Sequence, residues 1–204
     1  MDADAVEIRV LGCLIEKQRK TPDAYPLSLN SLRLACNQAT NREPVVEYDE
    51  PTVRAALERL SRKGWTRLAS GAGSRAAKYR HLLDEAIGLS AEELSLLAVL
   101  MLRGPQTPGE LKQRTERLQA FASLDEVDNV LEKLVERELV ARLPRGPGQK
   151  ETRYEQLLGA KARSVAAGVA DADVPEDRIE ALEERVTELE DTLAALQTRL
   201  AGPG

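Results

Sequence analysis

One histidine, two cysteines and two glycine-rich turns are the parts of this 204-residue chain from which a reaction could be assembled. A Ser/His or imidazole acid–base scheme would have to use His81, the only histidine. It stands in Arg80-His81-Leu82, at the end of a strand-like segment with no glycine-elbow serine nearby, so a structural or surface histidine is the stronger reading. Cys13, Cys36 and His81 lack the spacing of a zinc site. Gly71-Ala-Gly73 and Gly146-Pro-Gly148 have the composition of phosphate cradles but not the strand-then-helix setting, and hairpin turns account for both. No catalytic set, metal site or cofactor is read from these residues, and the expectation is a non-enzymatic protein.

The second available chemistry is electrostatic capture of phosphate. Net charge is −5 but unevenly placed: residues 1–84 carry 14 Lys/Arg against 11 Asp/Glu, residues 85–158 carry 10 against 13, and residues 159–204 carry 5 against 10. In the first half, residues 65–83 hold Arg67, Arg75, Lys78 and Arg80 and no acid. Residues 142–153 hold Arg142, Arg145, Lys150 and Arg153 against Glu151. Such stretches either lie along phosphates, giving affinity without sequence reading, or are ordinary exposed strands. The polar segment Asn37-Gln38 with Asn41-Arg42 has the same two readings. Asn and Gln read adenine and Arg reads guanine, but the same groups also fix the backbone of an irregular turn, a role in which Glu16 and Lys17 would join Arg42.

The elements that must position these residues follow from a repeat. Leu57-Glu-Arg-Leu returns as Leu131-Glu-Lys-Leu, 74 residues on, and Arg67 with Tyr79 returns as Arg142 with Tyr154, 75 residues on. Each copy reads as three helices, a short strand, a glycine-rich turn and a second strand. In the first, helices cover about 4–19, from Ser28, and from near Asp49 to Gly64, followed by strands 65–69 and 76–82. In the second, helices start at Ser90, Thr107-Pro108 and Asp125, followed by strands 139–143 and 152–157. Three helices closed by a hairpin describe a winged helix, whose third helix would enter the major groove. The fold class is mainly α with small β-hairpins (α+β), with domains at 1–84 and 85–158.

The two third helices differ in sign. Opposite the Val53/Leu57/Leu60 line, the first presents Ala55, Glu58 and Arg62, flanked by Arg54 and Arg59. The second presents Asp125, Asn129, Glu132 and Glu136, flanked by Asp128, a face that phosphates repel. Nucleic acid, if bound, falls to the first copy; the second reads as a protein-docking or packing module.

Aromatic residues make up 3% and charged residues 31%, a balance that suits small helical cores. No apolar run reaches the roughly 18 residues of a membrane span, and no CxxC or secretory segment is present. The expectation is a reduced, cytoplasmic protein. Residues 159–177 read as a linker. Over 178–201, Ile179, Val186, Leu193 and Leu200 take heptad a positions, and Leu182, Leu189 and Leu196 take d. At about three heptads this stripe either forms a homodimeric coiled coil or packs on the chain's own domains.

The strings Val10-Leu-Gly-Cys-Leu-Ile-Glu-Lys17, Thr21-Pro-Asp-Ala-Tyr-Pro-Leu-Ser-Leu-Asn30, Ala35-Cys-Asn-Gln38, Asn41-Arg-Glu-Pro-Val45 and Ser74-Arg-Ala-Ala-Lys-Tyr-Arg-His81 closely resemble the YceH-like family of bacterial proteins. The resemblance extends over residues 5–158. It implies tandem winged-helix domains and, the family being largely uncharacterised, no reaction and no catalytic residues. Two functions are therefore carried forward: a DNA-associated or regulatory protein acting through the first copy, and a protein–protein interaction scaffold.

Overall fold

The structure, a computed structural model, describes residues 2–69, 77–145 and 151–159. It is an α+β protein with seven α-helices and small antiparallel sheets among the described residues. Helix α1 (Ala5–Lys20) begins at a capping box: the Asp4 carboxylate accepts from the Glu7 N–H, and the Glu7 carboxylate accepts from the Asp4 N–H. A 3-10 turn (Pro22–Ala24) and strand β1 (Leu27–Ser28) lead to α2 (Leu29–Cys36), whose first turn is capped by the Ser28 hydroxyl. Helix α3 (Glu50–Arg62) starts at an Asp49 cap. Strands β2 (Thr66–Leu68) and β3 (Lys78–His81) form the first hairpin.

A short helix α4 (Leu83–Ile87) then joins the copies. Helix α5 (Ala91–Arg103) opens on the Ser90/Glu93 capping box and stops at Gly104, and α6 (Pro108–Thr115) is capped by Thr107. Helix α7 (Leu124–Glu136) precedes strands β4 (Val140–Leu143) and β5 (Arg153–Gln156). Its cap is Ser123, whose hydroxyl accepts from the Glu126 N–H, so α7 starts one residue earlier than Asp125.

Three features were not anticipated. Helix α4 is one, its five residues being too short for an apolar period to show. Strand β1 is another: Leu27 pairs with Tyr79 and Ser28 with Lys78, making a three-stranded sheet in the order β1-β3-β2. The second copy keeps a remnant of it, since Gln106 and Tyr154 exchange backbone hydrogen bonds of 3.0 and 2.8 Å. The third is the register of the repeat. Arg67 pairs with Arg80 in the first hairpin, but Ala141 pairs with Glu155 and Arg142 with Tyr154 in the second. The structural equivalent of Arg67 is therefore Ala141 rather than Arg142. The additional residue of the second hairpin lies between Leu143 and Arg153.

The core is continuous across both copies because two helices are buried on more than one side. From Glu7 to Glu16 every residue of α1 is buried, and from Glu93 to Leu102 every residue of α5 is buried. A helix apolar on one stripe needs one partner; these two have several. Helix α1 packs on α2 and α3 in its own copy and on α5 across the seam. Gly12 makes that approach possible, since a Cβ there would sit 3.0 Å from the Leu102 side chain and 3.1 Å from the Met101 Cβ. The seam closes at two further points. The Glu43 N–H donates to the Leu102 carbonyl (2.8 Å), and the Ala3 N–H to the Leu158 carbonyl (3.0 Å). The heptad positions Ile179, Leu182, Val186, Leu189, Leu193 and Leu196 lie outside the described residues.

Two substitutions test this packing. Gly12→Val places branched carbons against Leu102 and should destabilise by about 1–3 kcal/mol, read as a lower midpoint in thermal or urea unfolding. Gly64 (φ +75°) and Glu138 (φ +54°) occupy equivalent left-handed positions after α3 and α7. Glu138→Gly relieves the Cβ strain that Gly64 avoids and should raise stability by roughly 0.5–1 kcal/mol in the same assay.

Candidate nucleic-acid interface

Helix α3 buries Val53, Ala56, Leu57 and Leu60, so the helical period turns Arg54, Glu58 and Arg62 to solvent. Between α3 and the first hairpin lies a cleft of about 210 Å³ whose walls include Arg54, Glu58, Ser61, Arg67 and Tyr79. Arg54, Arg62 and Arg67 are exposed and make no ion pair or hydrogen bond through their side chains with the described residues. Lys78 is exposed on the facing strand.

Two other arginines in this region are engaged. The Arg59 guanidinium donates to the Asp4 carboxylate (2.7 Å) and lies 3.7 Å from Glu7, tying α3 to the start of α1. Lys63 reaches the same Glu7 at 2.6 Å. Arg80 pairs with Glu85 of α4 at 2.8 Å. Arg75 and Lys150 lie outside the described residues.

The second copy presents a different surface. Asp125, Asn129 and Glu136 are exposed, and Asp128 and Glu132 are half-buried beside them. Arg142 on β4 pairs with Glu132 and lies over the Tyr154 ring, so its charge is used within the copy. Arg145 is exposed and donates to the Thr152 hydroxyl (3.3 Å). Its surroundings include Asp128 and Glu151, which offset its attraction for an anion.

The polar turn between α2 and α3 is held together by its own side chains. Arg42 is buried; its guanidinium donates to Glu16 (2.5 Å), Gln38 Oε1 (3.0 Å), and the carbonyls of Ala35 (3.1 Å) and Asn41 (2.9 Å). Burial pushes the Glu16 carboxyl up, but hydrogen bonds from Arg42 and Lys20 outweigh it and hold the pKa below the ordinary value. The Asn37 amide donates to the Tyr48 carbonyl (2.8 Å) and accepts from the Tyr48 N–H (2.9 Å), bridging the loop. Arg9, not singled out by sequence, is buried beneath and donates to the carbonyls of Cys36 (3.1 Å) and Pro44 (2.6 Å). Cys13 and Cys36 are buried free thiols on α1 and α2, and their mutual hydrogen bond, with burial, pushes Cys36 up. These contacts bury Arg42 and leave Asn37 half-buried, with the polar groups of both engaged in holding the turn.

His81 is buried as well. Its Nε2 lies 2.6 Å from Gln18 Oε1, its Nδ1 lies 3.5 Å from the Asp84 carboxylate, and its N–H donates to the Tyr25 hydroxyl (2.8 Å). Burial drives its pKa down to about 4, with Arg80 and Arg19 acting in the same direction against Asp84 and Glu85. Among the described residues no three His, Cys, Asp or Glu side chains gather as a metal site, and no helix is long and apolar enough to cross a membrane.

The folded pKa of His81 lies below its ordinary 6.5, so the unfolded chain takes the proton first. Stability is full above that value, declines as the pH falls toward 4, and levels off below. The loss should be at most on the order of 3 kcal/mol. Urea midpoints at pH 7.5 and 5 check this, and His81→Gln should flatten the difference.

The described geometry and the whole sequence can be set beside known proteins. Residues 3–149 match the family described as "Protein of unknown function, DUF480". A UPF0502 protein of Pelobacter propionicus is 50% identical over 201 residues, covering 94% of this chain and 91% of its own. UPF0502 proteins of Shewanella amazonensis and Pectobacterium atrosepticum are each 45% identical, over 204 and 205 residues, covering 95% of this chain and 96% and 97% of theirs. With identity this high along nearly the full length of its relatives, the chain belongs to the bacterial DUF480/UPF0502 family.

Proposed function

We propose that both copies are winged-helix domains and that the first associates with duplex DNA through α3 and its hairpin, the wing. The observation that carries this reading is the group Arg54, Arg62 and Arg67: all exposed, Arg54 and Arg67 lining one cleft and Arg62 further along the outer face of α3, and none with a carboxylate partner among the described residues. Unneutralised guanidinium groups on a helix and an adjacent strand suit a phosphate backbone on either side of a groove. The role is non-enzymatic and cytoplasmic, regulatory or chromosome-associated. Contacts of this kind position the protein, and Glu58 at the centre of the face disfavours tight phosphate binding there, so low sequence specificity is expected.

A protein-interaction scaffold is the second reading, favoured by the acidic outer face of α7 and the exposed Leu124 at its start. A like-signed surface of that kind selects a basic protein partner.

Fluorescence anisotropy with a labelled duplex at two salt concentrations separates the readings. Binding should weaken as salt rises, and Arg54→Ala with Arg67→Ala should lower affinity roughly tenfold or more and reduce the salt slope by about two. Absence of binding at low salt, or binding indifferent to these substitutions, would reject the DNA reading.

A further inference from the structure

The seam between the copies holds a second concentration of guanidinium groups, separate from the α3 face. A cleft of about 580 Å³ is walled by Lys20 and Asn41 of the first copy and by Arg103, Arg114 and Arg117 of the second. It shares Asn41, Arg103 and Arg114 with an adjoining cleft of about 350 Å³ that reaches Arg153 and Glu110. Together their walls carry six cations, Arg42 and those already named, against the three carboxylates Glu43, Glu110 and Glu116.

Arginines at a seam are ordinarily matched by carboxylates. Here the nearby carboxylates are already divided: Glu16 serves Arg42 (2.5 Å) and Lys20 (2.8 Å), and Glu110 is shared at 3.4 Å from Arg114 and 3.7 Å from Arg153. Glu43 and Glu116 are exposed and engage neither Arg103 nor Arg117. Among the described residues, Arg103 is half-buried with no carboxylate in ion-pair range, and its side chain donates only to the Asn41 amide oxygen. Asn41 sits at φ +62°, a left-handed backbone that asparagine tolerates better than most residues, and there its amide meets the guanidinium across the seam. Arg117 is exposed and has no partner among the described residues. Burial, with Arg114 and Arg42 close by, pulls the Arg103 pKa below its ordinary value, the direction expected of a cation short of counter-charge.

We propose that this cleft binds a phosphate-bearing anion of small-molecule size, held by Arg103, Arg114 and Arg117. Guanidinium forks match phosphate oxygens in paired hydrogen bonds, and the cleft's volume falls within the usual range for a small ligand. Because its walls come from both copies, occupancy braces one against the other and stabilises the folded chain. The site shares no residue with the α3 face and does not depend on the DNA reading.

Inorganic pyrophosphate is the probe, titrated calorimetrically into the full-length protein at low ionic strength. Saturable binding with a Kd of roughly 1 μM to 1 mM is expected. Arg117→Ala, on an exposed side chain, should keep the wild-type melting temperature and weaken binding about tenfold, and Arg103→Gln should abolish saturation. Arg54→Ala with Arg67→Ala should leave pyrophosphate binding unchanged, which separates this site from the α3 face. Failure of the wild type to saturate, or equal binding by Arg117→Ala and Arg103→Gln, overturns the proposal. A duplex that displaces pyrophosphate, with duplex binding lost in Arg103→Gln, would also overturn it by assigning the cleft to backbone phosphate.

Discussion

Helix α1 has to satisfy two cores at once, and the rest of the molecule is arranged around that requirement. Its residues from Glu7 to Glu16 are all buried, one side against α2 and α3 and another against α5. Apolar side chains meet this easily; Glu7, Arg9 and Glu16 do not, because a buried charge is costly unless it is paired. Each has partners. Glu7 closes the α1 capping box and receives Lys63, Arg9 caps carbonyls of the α2–α3 connection, and Glu16 holds Arg42 and Lys20. Gly12 supplies the close approach where α1 meets α5.

This constraint sorts the arginines of the first half. Those drawn into the double-sided helix or its surroundings, Arg9, Arg42 and Arg59, are matched by carbonyls or carboxylates. Arg54, Arg62 and Arg67 are on the far side of α3 and on β2, beyond the reach of those acids. The same logic runs across the seam. The acids that α1 supplies are held by Arg42 and Lys63, which leaves Arg103 with a neutral amide.

Much of the fold was legible because its signals are local. Asp49, Ser28, Ser90 and Thr107 cap helices where side-chain oxygens meet the first free N–H groups, and Gly64 and Gly104 end them. The tyrosine strands Lys78–His81 and Arg153–Gln156 stand close to their expected places. Local signals also misled where the repeat is imperfect. Equating Arg67 with Arg142 by type is natural, yet the backbone pairing equates Arg67 with Ala141, since the inserted residue falls in the second hairpin turn rather than before it. Strand β1 escaped notice because two residues carry no period, and its existence depends on Tyr79 being available as a partner.

Apart from α4 and β1, the order of helices and hairpins, most of their ends to within a residue or two, and the opposite charge of α3 and α7 were settled by the sequence, since each depends on residues within a few positions of one another. Which polar residues are structural was decided only by tertiary contact. Asn37 meets Tyr48, Arg42 meets Glu16, and His81 meets Gln18, pairings that span 11, 26 and 63 positions. The seam cleft belongs wholly to this second class. Lys20, Asn41, Arg103 and Arg114 have no pattern along the chain, and it is the packing of α1 on α5 that brings their charges together.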